Sequence, residues 1–170
     1  MKLNSIVLMT LIAATLALSS CATSKKKAEV GVDADTTLDN GKNNGMSLEL
    51  NGDSDSNKAG ALKSIYFDFN SAGLSSSTKE DLNNNAQYLK SNASIKIQVE
   101  GHADERGGVQ FNLALGEKRA KSVREYLTGQ GIEGGRISII SFGKEKPLSF
   151  GHDEESWSKN RRANFAITAK

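Results

Sequence analysis

The position of the aromatic residues limits how much of this chain can fold. All ten aromatic side chains lie after residue 60 of the 170-residue sequence, the first being Tyr66. Aromatic residues supply much of the buried area of a core, so a stretch without them has little to bury. We therefore expect one folded domain over residues 61–170. The net charge of +2 is too small to indicate a nucleic-acid partner.

The first 20 residues have the pattern of a secretory signal peptide. Lys2 gives a short positive start, residues 6–18 form an apolar run, and the small residues Ser19 and Ser20 precede the expected cleavage point. The run of 13 residues is shorter than the ~20 that a membrane-spanning helix needs. We therefore predict that residues 1–20 are removed on export.

The single cysteine, Cys21, directly follows this signal. One cysteine rules out an intramolecular disulfide and any cysteine-based zinc cluster. The sequence at residues 18–21, Leu-Ser-Ser-Cys, resembles the lipobox of bacterial lipoproteins, which implies acyl chains on Cys21 and anchoring in membrane lipid. In lipoproteins of this kind, a residue such as Ala22 in place of an aspartate favours the outer membrane. An unmodified free cysteine is the alternative.

Residues 21–60 form the predicted linker. They are rich in Lys, Asp, Asn, Gly and Ser and contain no aromatic residue, a composition that cannot offset the entropy lost on ordering. We therefore expect a flexible, disordered tether with an extended reach of at most ~140 Å. Within it, residues 46–50 alternate like a strand that could pair with the edge of the domain.

Apolar periodicity in the last 110 residues predicts four strands and two main helices. The expected strands cover residues 62–69, 95–100, 136–142 and 165–168. One helix begins between residues 75 and 78 and continues through Leu89, and the second runs from about Asn112 to Gln130. A short helical loop precedes the last strand. The order predicts an α/β (α+β) sandwich, in which two main helices cover one face of a four-stranded mixed sheet.

The stretch from Gly101 to Gly107 carries the most informative side chains. It follows a predicted strand and contains Asp104, while Asn112, Leu115 and Arg119 share one border of the next helix. A carboxylate on Asp104 and a guanidinium on Arg119 within reach of each other would suit a zwitterion. An ordinary surface ion pair is the alternative.

The sequence gives little support for a cofactor or a metal site. His102 is either a ligand contact or a histidine that hydrogen-bonds the backbone as a local brace. The chain has only one other histidine and no HExxH spacing, so we predict no metal and no cofactor. Trp157 is interpreted as a packing residue.

Several separated segments resemble one known family. They are residues 66–69, 101–107, 112–120, 141–147, 151–154 and 158–163, which together resemble the peptidoglycan-associated lipoproteins of the OmpA C-terminal-like superfamily. The resemblance spans about residues 62–170. It implies non-covalent binding of peptidoglycan through the diaminopimelate of the stem peptide, partnership with TolB and the Tol complex, and a role in envelope integrity and cell division. It also implies a lipid-anchored protein in the outer membrane with its domain facing the periplasm.

The resemblance also suggests roles for single residues. Asp104 would take the ligand ammonium and Arg119 its carboxylate, while Asn112 would bond a peptide amide and Leu115 would pack on aliphatic atoms. The opposite rim would consist of Asp68, Phe69 and Asn70. Arg161 or Arg162 would add a second carboxylate contact, and because strand residues alternate faces we choose Arg161.

Two further functions remain open. The first is a peptidoglycan-processing enzyme, against which the folded domain has no cysteine, no GxSxG and no zinc-binding set. The paired carboxylates of a glycosidase cannot be judged from one sequence. The second is a purely structural lipoprotein without a working site. We predict a binding module rather than an enzyme.

Overall fold

The computed structural model describes residues 48–170. The predicted signal peptide, Cys21 and the tether up to residue 47 lie outside these residues. The elements are β1 (Ile65–Tyr66), α1 (Ser76–Ser91), β2 (Lys96–His102), α2 (Val109–Gly129), a 3-10 turn (Gly134–Arg136), β3 (Ile137–Gly143), α3 (Glu154–Asn160) and β4 (Arg162–Ala169). None of the helices in this part of the chain is both long and apolar enough to cross a membrane.

The four strands form one mixed sheet, as predicted. Their order is β1-β4-β2-β3, with β2 and β3 parallel and the other neighbours antiparallel. Strand β2 alternates strictly, so that Ile97 and Val99 are buried. They share one core with Leu82 of α1 and Val123 of α2, which confirms two main helices packed on the sheet.

Strand β1 is much shorter than the predicted strand over residues 62–69. Only Ile65 and Tyr66 pair with β4. The next part of the β4 edge is already occupied, because the Asn51 amide donates to the Ile167 carbonyl at 2.9 Å and the Ser54 amide to the Phe165 carbonyl at 3.0 Å. A strand edge offers each backbone group one partner, so β1 has no edge along which to extend.

The predicted boundary of the linker at residue 60 is wrong. Residues 48–60 pack against the domain, with Ala59 fully buried in the core. The Asp55 carboxylate accepts from Arg162 Nε at 2.7 Å, and both side chains are at most 10% exposed. Backbone pairing and polar side chains hold this segment, so a search for apolar and aromatic residues cannot detect it.

Two glycines allow α2 to lie directly against β2. A Cβ on Gly101 would overlap the carbonyl oxygen of Gly116, and a Cβ on Gly116 would lie 2.7 Å from the carbonyl oxygen of Gly101. Real Cβ atoms do not approach so closely, so both positions need glycine. This contact puts the first half of α2, with Asn112, Leu115 and Arg119, beside the end of β2.

We expect Gly116→Ala to reduce the free energy of unfolding by about 1–3 kcal/mol, because the methyl group overpacks the contact with β2. Gly129→Ala is the control, since nothing lies within 4 Å of a Cβ at the last residue of α2. There alanine should be neutral or stabilising by up to ~1 kcal/mol. Urea denaturation measures both; equal effects would contradict the close approach of α2.

We expect Asp55→Ala to destabilise the domain by about 3–5 kcal/mol, because it leaves the buried Arg162 charge without an anionic partner. The matched control is Asp81→Ala, which removes a pair with Lys63 whose side chains are 42% and 57% exposed. That loss should cost about 0–1 kcal/mol. Urea unfolding of the full chain compares them, and a small effect at Asp55 would show that residues 48–60 are only weakly attached.

Candidate functional site

Asp104 lies just beyond the end of β2 and is 4% exposed. Its carboxylate accepts four hydrogen bonds. Oδ1 accepts from the Arg106 amide at 3.1 Å and Arg106 Nε at 3.2 Å, while Oδ2 accepts from Arg106 Nη2 at 2.6 Å and Arg161 Nη1 at 3.4 Å. Burial opposes ionisation, but these bonds and the Arg106 charge outweigh it and hold the pKa of Asp104 below its usual value.

Arg119 is fully buried and binds three backbone carbonyls. Its Nη1 donates to His102 at 2.7 Å, Nε to Ser71 at 2.8 Å and Nη2 to Asp68 at 3.1 Å. No carboxylate of residues 48–170 lies within 4.0 Å of it. Burial lowers the pKa of Arg119 to about 10, so the guanidinium stays charged at neutral pH. Three bonds leave two of its five N–H groups for a ligand.

Asp104 and Arg119 line one narrow cleft without forming an ion pair. The predicted alternative of a surface ion pair is wrong, because both side chains are buried. The cavity volume of the cleft is only about 10 Å³, far below the ~300–1,000 Å³ of typical small-molecule sites, so side chains that line it must move before a ligand can enter. The remaining walls are Phe69, Asn70, Arg106, Phe111, Asn112 and Leu115.

Besides Asp104 and Arg119, four of the predicted contact residues reach this cleft. Phe69 is 59% exposed at its mouth, Leu115 is half-buried, and Asn70 sits beside them with a φ of +50°, which asparagine tolerates. Asn112 is buried and its Nδ2 donates to the Arg106 carbonyl at 3.0 Å, so it also braces the loop. The Asp68 side chain lies in a neighbouring groove, and only its carbonyl oxygen supports the site, through Arg119.

The two adjacent arginines at the start of β4, Arg161 and Arg162, reach different partners. Arg161 donates to the Phe67 carbonyl at 3.0 Å, to Asp104, and to Glu154 Oε1 at 2.5 Å. Arg162 instead bonds Asp55, away from the cleft. Arg161 is thus the arginine of this pair that lies at the site.

Arg106 and Trp157 were not predicted as site residues, whereas Phe69 was. The Arg106 guanidinium lies 4.0 Å from the ring centroid of Phe69 and 4.0 Å from that of Trp157, besides binding Asp104. Trp157 is therefore a stacking surface rather than a packing residue. The sequence feature that could have identified Arg106 is its position, two residues after Asp104 in the same loop.

A second set of contacts fixes the loop that carries Arg106. Glu105 accepts from His152 Nδ1 at 2.7 Å and from Trp157 Nε1 at 2.8 Å. These hydrogen bonds lower the pKa of Glu105, and the bond to Glu105 raises the pKa of His152. Lys144 donates to the carbonyls of Glu105 and Gly107 at 3.2 and 2.8 Å. The loop is thereby fixed by His152 and Trp157, which bond the Glu105 side chain, and by Lys144, which bonds the backbone.

His102 has neither of its predicted roles. Its ring is 1% exposed and stacks on Phe142 at a centroid distance of 5.6 Å. Its Nε2 lies 3.8 Å from the Glu100 carboxylate, and among the residues described neither ring nitrogen has a partner within hydrogen-bond distance. Its backbone carbonyl, which Arg119 binds, is the part that belongs to the site. Residues 48–170 contain no group of three or more His, Cys, Asp or Glu placed to hold a metal ion.

Comparison with known proteins decides the family. The model of the OmpA family matches residues 66–161, more than half of the chain. The chain belongs to the OmpA family. The matched range contains every residue that lines the cleft, so the site lies within the shared OmpA domain.

The relatives extend this assignment. A peptidoglycan-associated lipoprotein of Haemophilus influenzae is 38% identical over 72% of this chain and 80% of its own length. One from Legionella pneumophila is 32% identical over 94% of this chain and 93% of its own. These names confirm the resemblance found in the motifs.

Solved structures confirm the OmpA-like fold. The crystal structure of the peptidoglycan-associated lipoprotein from Burkholderia pseudomallei is 45% identical, with a TM-score of 0.59 over 61% of this chain and 88% of that one. The C-terminal domain of Helicobacter pylori MotB has a TM-score of 0.60 over 64% of this chain and 86% of its own, at 19% identity. The second likeness shows the fold alone.

We expect the pKa of His152 to lie above its usual value of about 6.5 and to return towards it in Glu105→Gln. The raised pKa means that this contact contributes fully to stability below about pH 6.5 and is lost as the pH rises through the raised pKa. NMR titration of the His152 ring signals in the unaltered chain and in the variant measures the shift. An unchanged His152 titration in the variant would contradict the Glu105 contact.

Proposed function

We propose that this protein binds peptidoglycan non-covalently through the diaminopimelate residue of the stem peptide. The observation that carries the proposal is a buried carboxylate, Asp104, and a buried guanidinium without a carboxylate partner, Arg119, in one narrow cleft. The side-chain end of diaminopimelate bears an ammonium and a carboxylate on the same carbon. The Asp104 carboxylate accepts hydrogen bonds from the ammonium, and the two unused N–H groups of Arg119 donate to the carboxylate.

The other cleft residues suit the rest of such a ligand. Leu115 and Phe69 offer apolar surface to the aliphatic part of the side chain, and Asn112 and Asn70 offer amide groups to the peptide. Arg161 adds positive charge next to Asp104, so the buried part of the site holds two cations and one anion. The carboxylate of a zwitterionic ligand gives the guanidinium of Arg119 the anionic partner that it lacks, while Asp104 holds the ligand ammonium.

The proposal includes attachment of the outer membrane to the wall. After removal of residues 1–20, acylated Cys21 holds the chain in outer-membrane lipid, and the domain faces the periplasm. TolB and the Tol complex are the proposed protein partners, with a role in envelope integrity and cell division. Support comes from the lipobox-like residues 18–21 and from the relatives, whose names contain both peptidoglycan association and lipoprotein.

We expect Asp104→Asn in the full chain to weaken binding of a diaminopimelate-type stem peptide by at least about 30-fold, since truncating one partner of a buried charge pair costs ~2–5 kcal/mol. Isothermal titration and pull-down with purified sacculi measure the loss. Asp81→Asn, on α1 with a side chain that is 42% exposed, is the matched control and should bind as the unaltered chain does. A preference of the unaltered chain for lysine-type peptides would contradict the proposal.

The same samples separate the two alternative functions. A processing enzyme would release soluble muropeptides from sacculi, and this release would overturn a function of binding alone. A purely structural lipoprotein would show no loss of sacculus binding in Asp104→Ala or Arg119→Ala. Urea denaturation of each variant confirms that a loss of binding is not a loss of folding.

A further inference from the structure

The Asp104 carboxylate has no acceptor position left for a ligand. A carboxylate offers about four lone-pair sites, and here two bonds reach each oxygen: Arg106 supplies three of the donors and Arg161 the fourth. In the proposed function, a ligand ammonium must bond this same carboxylate. One of the present donors must therefore leave when the ligand enters.

The Arg106 side chain is the donor able to leave. The Arg161 side chain is only 7% exposed and is also bonded to the Phe67 carbonyl and to Glu154. The Arg106 side chain is 30% exposed and lies at the mouth of the cleft between the rings of Phe69 and Trp157. Its guanidinium binds both oxygens of Asp104, Oδ1 through Nε and Oδ2 through Nη2, and so occupies the carboxylate as a ligand cation would.

The backbone under Arg106 does not need to move. Its carbonyl accepts from Asn112, and the carbonyls of the residues on either side of it, Glu105 and Gly107, accept from Lys144. The amide of Arg106 remains bonded to Asp104 Oδ1. Rotation of the Arg106 side chain alone frees the outer side of the carboxylate.

We propose that Arg106 is an internal competitor for Asp104 that makes the site selective for ligands carrying an ammonium and a carboxylate together. This inference rests on the proposed function. A simple ammonium would exchange one cation on Asp104 for another and leave Arg106 without an anion, apart from Glu154, which is 3.7 Å away and 64% exposed. A ligand with a carboxylate beside its ammonium gives the displaced guanidinium a new partner. Arg106 therefore acts against a lysine-type side chain and not against a diaminopimelate-type one.

The test compares two synthetic stem peptides that differ only in diaminopimelate or lysine, titrated into the full chain and into Arg106→Met. In the unaltered chain, we expect the diaminopimelate peptide to bind at least about tenfold tighter. In Arg106→Met, the lysine peptide should gain affinity, so that the ratio of the two dissociation constants falls by about tenfold or more. Arg124→Met, at an exposed position on α2, removes the same charge and should leave the ratio unchanged.

Two further measurements separate competition from a structural effect. Arg106→Lys keeps a cation on Asp104 and should retain part of the selectivity, which a general loss of folding would not spare. Trp157 is the only tryptophan of the chain and its ring stacks on Arg106, so the diaminopimelate peptide should change its fluorescence in the unaltered chain and not in Arg106→Met.

The outcomes are distinct. An unchanged ratio in Arg106→Met, equal losses for both peptides, or constant Trp157 emission at saturation would overturn the role of Arg106 while leaving the proposed function intact. If the unaltered chain binds neither peptide, the proposed function itself fails.

Discussion

The buried guanidinium of Arg119 holds together the parts of the chain that form the cleft. It reaches from α2 to the carbonyls of Asp68 and Ser71, between β1 and α1, and to the carbonyl of His102 at the end of β2. A charge in the interior is tolerated only when it is well hydrogen-bonded, so these segments must keep their positions for the charge to stay buried. The same constraint leaves a positive charge beside the cleft that carbonyl oxygens solvate but do not neutralise.

The glycine contact between α2 and β2 makes this arrangement possible. Without the close approach at Gly101 and Gly116, the helix would stand further from the sheet and Arg119 would not reach the end of β2. The core between the helices and the sheet supplies the stability that a buried charge requires. The close packing of α2 on β2 and the burial of the Arg119 charge therefore depend on each other.

Hydrogen bonds from the chain itself use all the acceptor positions of the Asp104 carboxylate. Its carboxylate is filled by Arg106 and Arg161, and Arg106 rests between two aromatic rings. The cleft thus has a closed state in which all its charges are stabilised without a ligand. A closed site of this kind binds by exchange of partners, and its selectivity depends on what the displaced group can contact next.

Much of the fold was predictable because its signals are local. The alternation of Ile97 and Val99 marked β2, and the apolar spacing from Leu82 to Leu89 marked α1. The pattern failed for residues 48–60, which are held by backbone pairing with β4 and by Asp55, a polar residue with nothing in its neighbourhood to mark it as buried. It also failed for the length of β1, because the edge that this segment occupies lies far away in sequence.

For the site, residue types and helical spacing were enough to select Asp104, Asn112, Leu115 and Arg119 as neighbours at the end of β2. Strand alternation predicted that only one of the adjacent arginines Arg161 and Arg162 would face the cleft. The partners of these charges required the folded chain. Arg119 bonds carbonyls 48 and 51 residues away, and Arg161 reaches Asp104 across 57 residues. Periodicity reports how a segment lies on its neighbours, whereas the partner of a buried charge depends on which distant segments folding brings within hydrogen-bond distance.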